Sequence, residues 1–207
     1  MGPWSATGGA MRYEFLMQIR RPALWVTYAL LGVLVQWIGM QLATGPLGSR
    51  PYTHHDGLIE WTSACNTLLT LGAGLLLADR LRRDRSTRVS ETLLTTPAPR
   101  WGRLMGKYLG AVTATIIPIA LIDFGGAAYL VVRWGDVSVV PLTLVAFLTL
   151  VVPPVLFVAA FALACTTAMW TPLFQFLFVG YWLWNGLNPA EAIPTLNNTL
   201  LSPTENY

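Results

Sequence analysis

Residues 79–107, DRLRRDRSTRVSETLLTTPAPRWGRLMGK, decide the fold, because they form the one long hydrophilic stretch between apolar runs. The segment holds eight of the thirteen Lys and Arg residues (Arg80, Arg82, Arg83, Arg85, Arg88, Arg100, Arg103 and Lys107) against three acids, Asp79, Asp84 and Glu91. Apolar runs long enough to cross a bilayer flank it on both sides, so the segment is expected to stand in water at one membrane face. Positive residues near span ends are retained in the cytoplasm, which assigns that face to the inside.

Composition agrees with a membrane reading. The 207 residues are 54% apolar and only 11% charged, with nine Trp and a mean hydropathy of +0.53, far from an ordinary soluble chain. The net charge of +3 is concentrated where topology needs it, without an aromatic and basic binding surface, so no nucleic-acid partner is expected. Cys65 and Cys165 lie inside apolar runs without metal or redox spacing and read as small buried hydrophobes. The Gly-rich first ten residues and the length of the first apolar run predict no cleavable signal peptide.

Hydropathy and punctuation divide the chain into an all-α polytopic membrane domain, residues 1–207, with five spans. Residues 1–10 are expected to be disordered. Residues 11–21 read as an amphipathic interfacial helix, with Met11, Phe15, Leu16 and Ile19 on one side and Glu14, Gln18 and Arg21 on the other, closed by Arg20, Arg21 and Pro22. The spans fall at about 23–43, 61–78, 108–132, 141–168 and 173–187, the last short for a core of roughly 30 Å. Eleven of the thirteen cations then lie on the cytoplasmic side, with Arg50 and Arg133 outside. The N-terminus is cytoplasmic on this reading, and the polar tail 188–207 is external.

Four features invite functional readings. Ser90 to Thr96 has short helix signals: Ser90 as N-cap, Glu91 beside the N-terminal dipole and Pro97 as the stop. Leu93 and Leu94 would project from it, either to dock a soluble partner or to pack back on the membrane ends. Asp123 sits in the third span, where a carboxylate costs about 2.5–3.5 kcal/mol on insertion scales, so it must face the bundle interior, water or a partner, or be protonated. Pro153 and Pro154 should kink the fourth span, as a hinge or as a static bend. His54 and His55, in the 44–60 loop, have no third ligand at metal spacing, and a solvated external loop is the expectation.

The element R-x-x-E-T-L-L-x-T-P (Arg88, Glu91, Thr92, Leu93, Leu94, Thr96, Pro97), followed by G-K-Y-L-G-A from Gly106 to Ala111, resembles the permease subunits of ABC-2-type ABC transporters. The resemblance implies that 79–107 is a coupling loop, with Arg88, Ser90, Glu91, Thr92, Leu93, Leu94, Thr95, Thr96 and Pro97 contacting a cleft of a separate ATPase subunit. It also implies that Glu14, Arg20 and Arg21 belong to a connector helix, and that the chain works as a homodimer or heterodimer. ATP and Mg would be bound by the partner ATPase; no cofactor, metal or catalytic motif is expected here, since no Walker A, H-E-x-x-H or G-x-S-x-G sequence occurs. The family norm is six spans, against five here.

The expected function is therefore ATP-driven export of a lipid, peptide, antibiotic or other hydrophobic compound, from the plasma membrane of a prokaryote. Two other classes stay open. One is a non-transporting scaffold or immunity protein that recruits a cytoplasmic partner through the same loop. The other is a secondary transporter driven by protons through Asp123.

Overall fold

The computed structural model describes residues 3–44, 53–86 and 100–187, and among these every regular element is helical. The helices are α1 (Pro3–Ile19), α2 (Pro22–Thr44), α3 (His54–Ser86), α4 (Arg100–Trp134), α5 (Val139–Ala146), a π-helical segment (Phe147–Val151), α6 (Val152–Ala168) and α7 (Thr171–Leu187). Four stretches are long and apolar enough to cross a membrane: Pro22–Gln41, His54–Ala78, Leu104–Trp134 and Val139–Ala168. This is the architecture of a polytopic helical membrane protein, in which helices satisfy their own backbone groups away from water.

Several boundaries move from their sequence expectation. The hydrophilic stretch 79–107 is not one loop: residues 79–86 extend α3 and 100–107 open α4, because Arg and Leu are good helix formers and charge alone does not end a helix. Arg88 and the coupling residues Ser90–Pro97 lie outside the described residues, as does the tail 188–207. Helix α3 also starts earlier than expected, at His54. Thr53 caps it by accepting the Asp56 N–H at 3.2 Å, while Asp56 Oδ2 accepts the Thr53 N–H at 3.0 Å and its hydroxyl at 2.7 Å, a reciprocal capping box. The fifth apolar run does form α7, but its 17 residues extend about 26 Å at 1.5 Å per residue, short of the bilayer core.

The N-terminal helix departs most. It begins at Pro3, inside the segment expected to be disordered, and ends at Ile19, whose carbonyl accepts the Trp25 indole N–H at 2.7 Å. Its polar side is turned inward: Glu14 and Gln18 are buried while Tyr13 and Leu16 are exposed. The cause lies in α4, where Gly102, Gly106 and Gly110 recur every four residues along one buried face. A Cβ on Gly106 would stand 2.8 Å from Ala10 Cβ, and one on Gly110 2.8 Å from Glu14 Cβ. Small residues at this spacing let helix backbones approach closely in a membrane, and α1 fills the groove.

Helix α3 is the axis of the bundle, its span the most buried of the four. Neighbouring helices are tied to it by side-chain donors that reach backbone carbonyls. Trp182 Nε1 donates to Thr67 O at 2.8 Å, Gln175 Nε2 to Leu75 O at 3.2 Å and Tyr28 Oη to Leu69 O at 3.5 Å. In the other direction Trp61 of α3 donates to Asp123 O of α4 at 3.1 Å. The Trp61 ring is wholly buried between two glycines: a Cβ on Gly39 of α2 would lie 2.8 Å from it, and one on Gly126 of α4 would overlap it. The outer face of α2, with Val26, Leu30, Val33 and Trp37 exposed, suits contact with lipid.

Pro153 and Pro154 open α6 rather than interrupt a straight helix. Each lacks an N–H and crowds the carbonyl four residues earlier, on Thr149 and Leu150, and both carbonyls belong to the π segment. The wider winding also keeps one stripe inward: Thr143, Phe147, Val151 and Val155 are all buried at intervals of four. In an unbroken α-helix that spacing would drift about 40° per step.

The glycine contacts give a direct test. Gly126→Val should destabilise the fold by about 1–3 kcal/mol through overpacking against Trp61. Gly125→Val, where nothing lies within 4 Å, should leave it near wild type in thermal melts of detergent-purified protein. Equal melting of the two variants would refute the packing assignment.

Candidate functional site

On α3, Thr62, Asn66 and Thr70 follow one another at intervals of four and are all buried. Such residues are tolerated in a membrane helix only where their polar atoms find partners inside the bundle. Thr70 donates to Asn66 Oδ1 at 3.0 Å. Elsewhere the buried or half-buried threonines bond back to their own helix: Thr67 to Ser63 O, Thr115 to Ala111 O, Thr143 to Val139 O and Thr166 to Ala162 O, at 2.7–3.1 Å. Thr62 does not, and its Oγ1 has no hydrogen-bond partner.

What faces Thr62 is Asp123. This residue is 0% exposed, and the groups beside its carboxyl are the Cys65 thiol and the Thr62 hydroxyl, both on α3. Neither closes to a hydrogen bond of good geometry, and Oδ1 and Oδ2 are both left without a partner. Its position is fixed through the main chain, by the Trp61 indole on its carbonyl. Of the alternatives the sequence leaves open for Asp123, namely the bundle interior, water, a partner or protonation, its burial corresponds to the first. The site also includes Trp61 and Thr62, which sequence reasoning did not single out; a Trp followed by polar residues at four-residue spacing was the available signal.

The remaining candidates are not gathered around Asp123. Glu14 packs on Gly110, thirteen residues and therefore about 20 Å away along α4. Arg20 and Arg21 form the break between α1 and α2, where Leu24 N–H donates to Arg21 O at 3.2 Å. Pro153 and Pro154 adjoin the π segment. Among the described residues no group of three or more His, Cys, Asp or Glu is placed to hold a metal ion, and Cys65 and Cys165 are free thiols.

The two histidines, expected in a solvated loop, instead sit on the first turn of α3 and clasp the α4–α5 turn. That turn relies on Gly135 at φ +69°, a conformation glycine adopts without a Cβ clash. His54 stacks on Trp134, with ring centroids 5.0 Å apart, and its Nδ1–H donates to Asp136 Oδ2 at 3.0 Å. Asp136 Oδ1 also accepts the Ser138 hydroxyl at 2.6 Å and its N–H at 3.0 Å, which fixes Ser138 immediately before α5. His54 lies about 16 Å from Asp123 by rise along α4 to Trp134, so the histidines and Asp123 do not form one acid–base group.

The Ser138 hydroxyl first, then His54 and the Ser138 N–H, hold the Asp136 carboxyl at about 2, below its ordinary 3.8. A carboxylate depressed in the folded state adds stability that is present above its unfolded value and lost as pH falls through the folded one. Wild type should therefore lose part of its thermal stability between about pH 4 and pH 2, and Asp136→Asn should lose less over that window. Identical acid profiles in melting experiments would contradict this clasp.

No protein-family model matches the chain, and no curated protein matches it.

Proposed function

We propose that this chain is the transmembrane permease subunit of an ATP-driven exporter of ABC-2 type, working as a dimer with separate cytoplasmic ATPase subunits. The observation that carries the reading is the R-x-x-E-T-L-L-x-T-P element between two membrane-spanning helices, followed by G-K-Y-L-G-A in the next helix. Two features support it. The ends of α3 and α4 that flank residues 87–99 lie at the same end of the bundle as the α1–α2 break with Arg20 and Arg21. There α1, the proposed connector, packs on the first turns of α4, so a push on the 87–99 segment would reach both.

On this reading the arginine-rich end faces the cytoplasm of a prokaryotic cell, by retention of positive charge. ATP and Mg are held by the partner, and closure of the ATPases moves the helices through Glu91, Leu93 and Leu94. Hydrophobic cargo, a lipid, peptide or antibiotic, suits the apolar outer faces. A proton-linked transporter is the second reading, favoured by the enclosure of Asp123.

The test is co-purification with a P-loop ATPase encoded beside this chain, the absence of which would favour the scaffold reading instead. Replacing Glu91, Leu93 and Leu94 together by Ala should abolish both association and stimulation of ATP hydrolysis, while the chain still melts as wild type. Undiminished association and stimulation would sink the coupling assignment.

A further inference from the structure

We propose that Asp123 is a proton-binding site inside the bundle: with the bundle closed, the carboxyl carries a proton at neutral pH, beside the Thr62 hydroxyl and the Cys65 sulfur. The inference rests on the enclosure of this residue and not on the transporter reading.

Three observations carry it. Asp123 is 0% exposed, so no partner chain, water-borne ion or lipid headgroup reaches it in this conformation. Both carboxyl oxygens lack a hydrogen-bond donor, and no Lys, Arg or His among the described residues pairs with it. An isolated carboxylate removed from water is far more costly than a neutral polar group, and neutralises instead. Thr62 supplies the third observation. Alone of the buried threonines discussed above, it neither bonds back to its helix nor to another side chain, which leaves its oxygen open as acceptor for a carboxyl proton.

The surroundings exclude another source of neutralisation. From α3 the ionisable group facing Asp123 is the Cys65 thiol, which cannot supply positive charge. Helix α2 contributes Tyr28, whose hydroxyl is committed to Leu69 O, while α5 and the π segment carry no ionisable residue. An alkali cation would need about six oxygen ligands in the manner of hard cations. Here Thr62 and Asp123 offer three side-chain oxygens, and the Asp123 carbonyl is held by Trp61. A proton needs only one oxygen. Opening of the bundle to water would release it, so proton exchange at Asp123 would report whether α3 and α4 are closed on each other.

Infrared spectroscopy of the full chain in lipid nanodiscs tests this. At neutral pH the wild type should show a protonated-carboxyl C=O band that shifts on exchange into heavy water, is absent in Asp123→Asn and moves in frequency in Asp123→Glu. Glu14→Gln, which removes the other buried carboxyl described, should leave the band in place. Absence of a band assignable to Asp123 would overturn the proposal. So would loss of that band when sodium replaces potassium at constant pH, because the occupant would then be a metal ion. Melting gives a second arm. An unfolded Asp releases its proton above about pH 4 while the enclosed one keeps it, so the wild-type folding constant should fall roughly tenfold per pH unit above that point until Asp123 ionises in place. Asp123→Asn should lack this slope, and an equal slope in both proteins would overturn the assignment. If Asp123→Asn fails to assemble, the band in wild type and its shift in Asp123→Glu still decide the matter.

Discussion

The bundle depends on one side chain threaded between three helices. Trp61 leaves α3, passes between Gly39 of α2 and Gly126 of α4, and spends its only polar atom on the Asp123 carbonyl. A bulky ring reaches such a place only where both neighbours lack a Cβ, so the two glycines set how closely α2 and α4 approach α3. Burial of Trp typically contributes about 3–5 kcal/mol, judged by truncation to Ala. Here it also fixes the turn of α4 on which Asp123 stands. Packing and the polar interior are therefore one arrangement: the same contact that closes the helices holds a carboxyl where water does not reach.

The other interhelical ties share a logic. Tyr28, Tyr108, Gln175 and Trp182 each donate to a carbonyl of a neighbouring helix. A helical carbonyl keeps a second lone pair after its own backbone bond, so a donor from outside is accommodated without unwinding the acceptor helix. In a membrane, where apolar surfaces gain little by meeting each other rather than lipid, such bonds and close small-residue contacts supply specificity.

How much of this was legible in the sequence follows from what hydropathy measures. Apolar length gave five spans, of which four are long enough to cross and the last is short, and the cost of a mid-span carboxylate left Asp123 to the interior, water, a partner or protonation. Hydropathy is blind to helix continuity through charged residues, so 79–86 and 100–107 were assigned to a loop although nothing there breaks a helix. It also misjudged α1. Amphipathic reasoning sends Glu14 and Gln18 to water, whereas the glycine groove of α4 takes that side and leaves Tyr13 and Leu16 outward. The pairing of Trp61 with Gly39 and Gly126 joins residues far apart in sequence and has no local signature. The clasp of His54 on Asp136 was invisible for the same reason, although the Thr53-x-x-Asp56 capping box was there to show that α3 begins at His54.

The π segment has a consequence for how this chain tolerates insertions and deletions. One extra residue of winding between Phe147 and Val151 sets the phase of all of α6, whose inward residues are Val155, Val158, Ala159, Ala162 and Thr166. Were these five residues to wind as an ordinary α-helix without losing a residue, everything downstream would turn by most of one residue's step of about 100°. The stripe that meets α3 would then swing toward lipid, and Phe157 and Phe161 would turn with it. Loss of one residue among these five positions would offset that turn, so a single deletion here should leave the inward stripe of α6 facing α3, whereas one in the α-helical turns that follow should not.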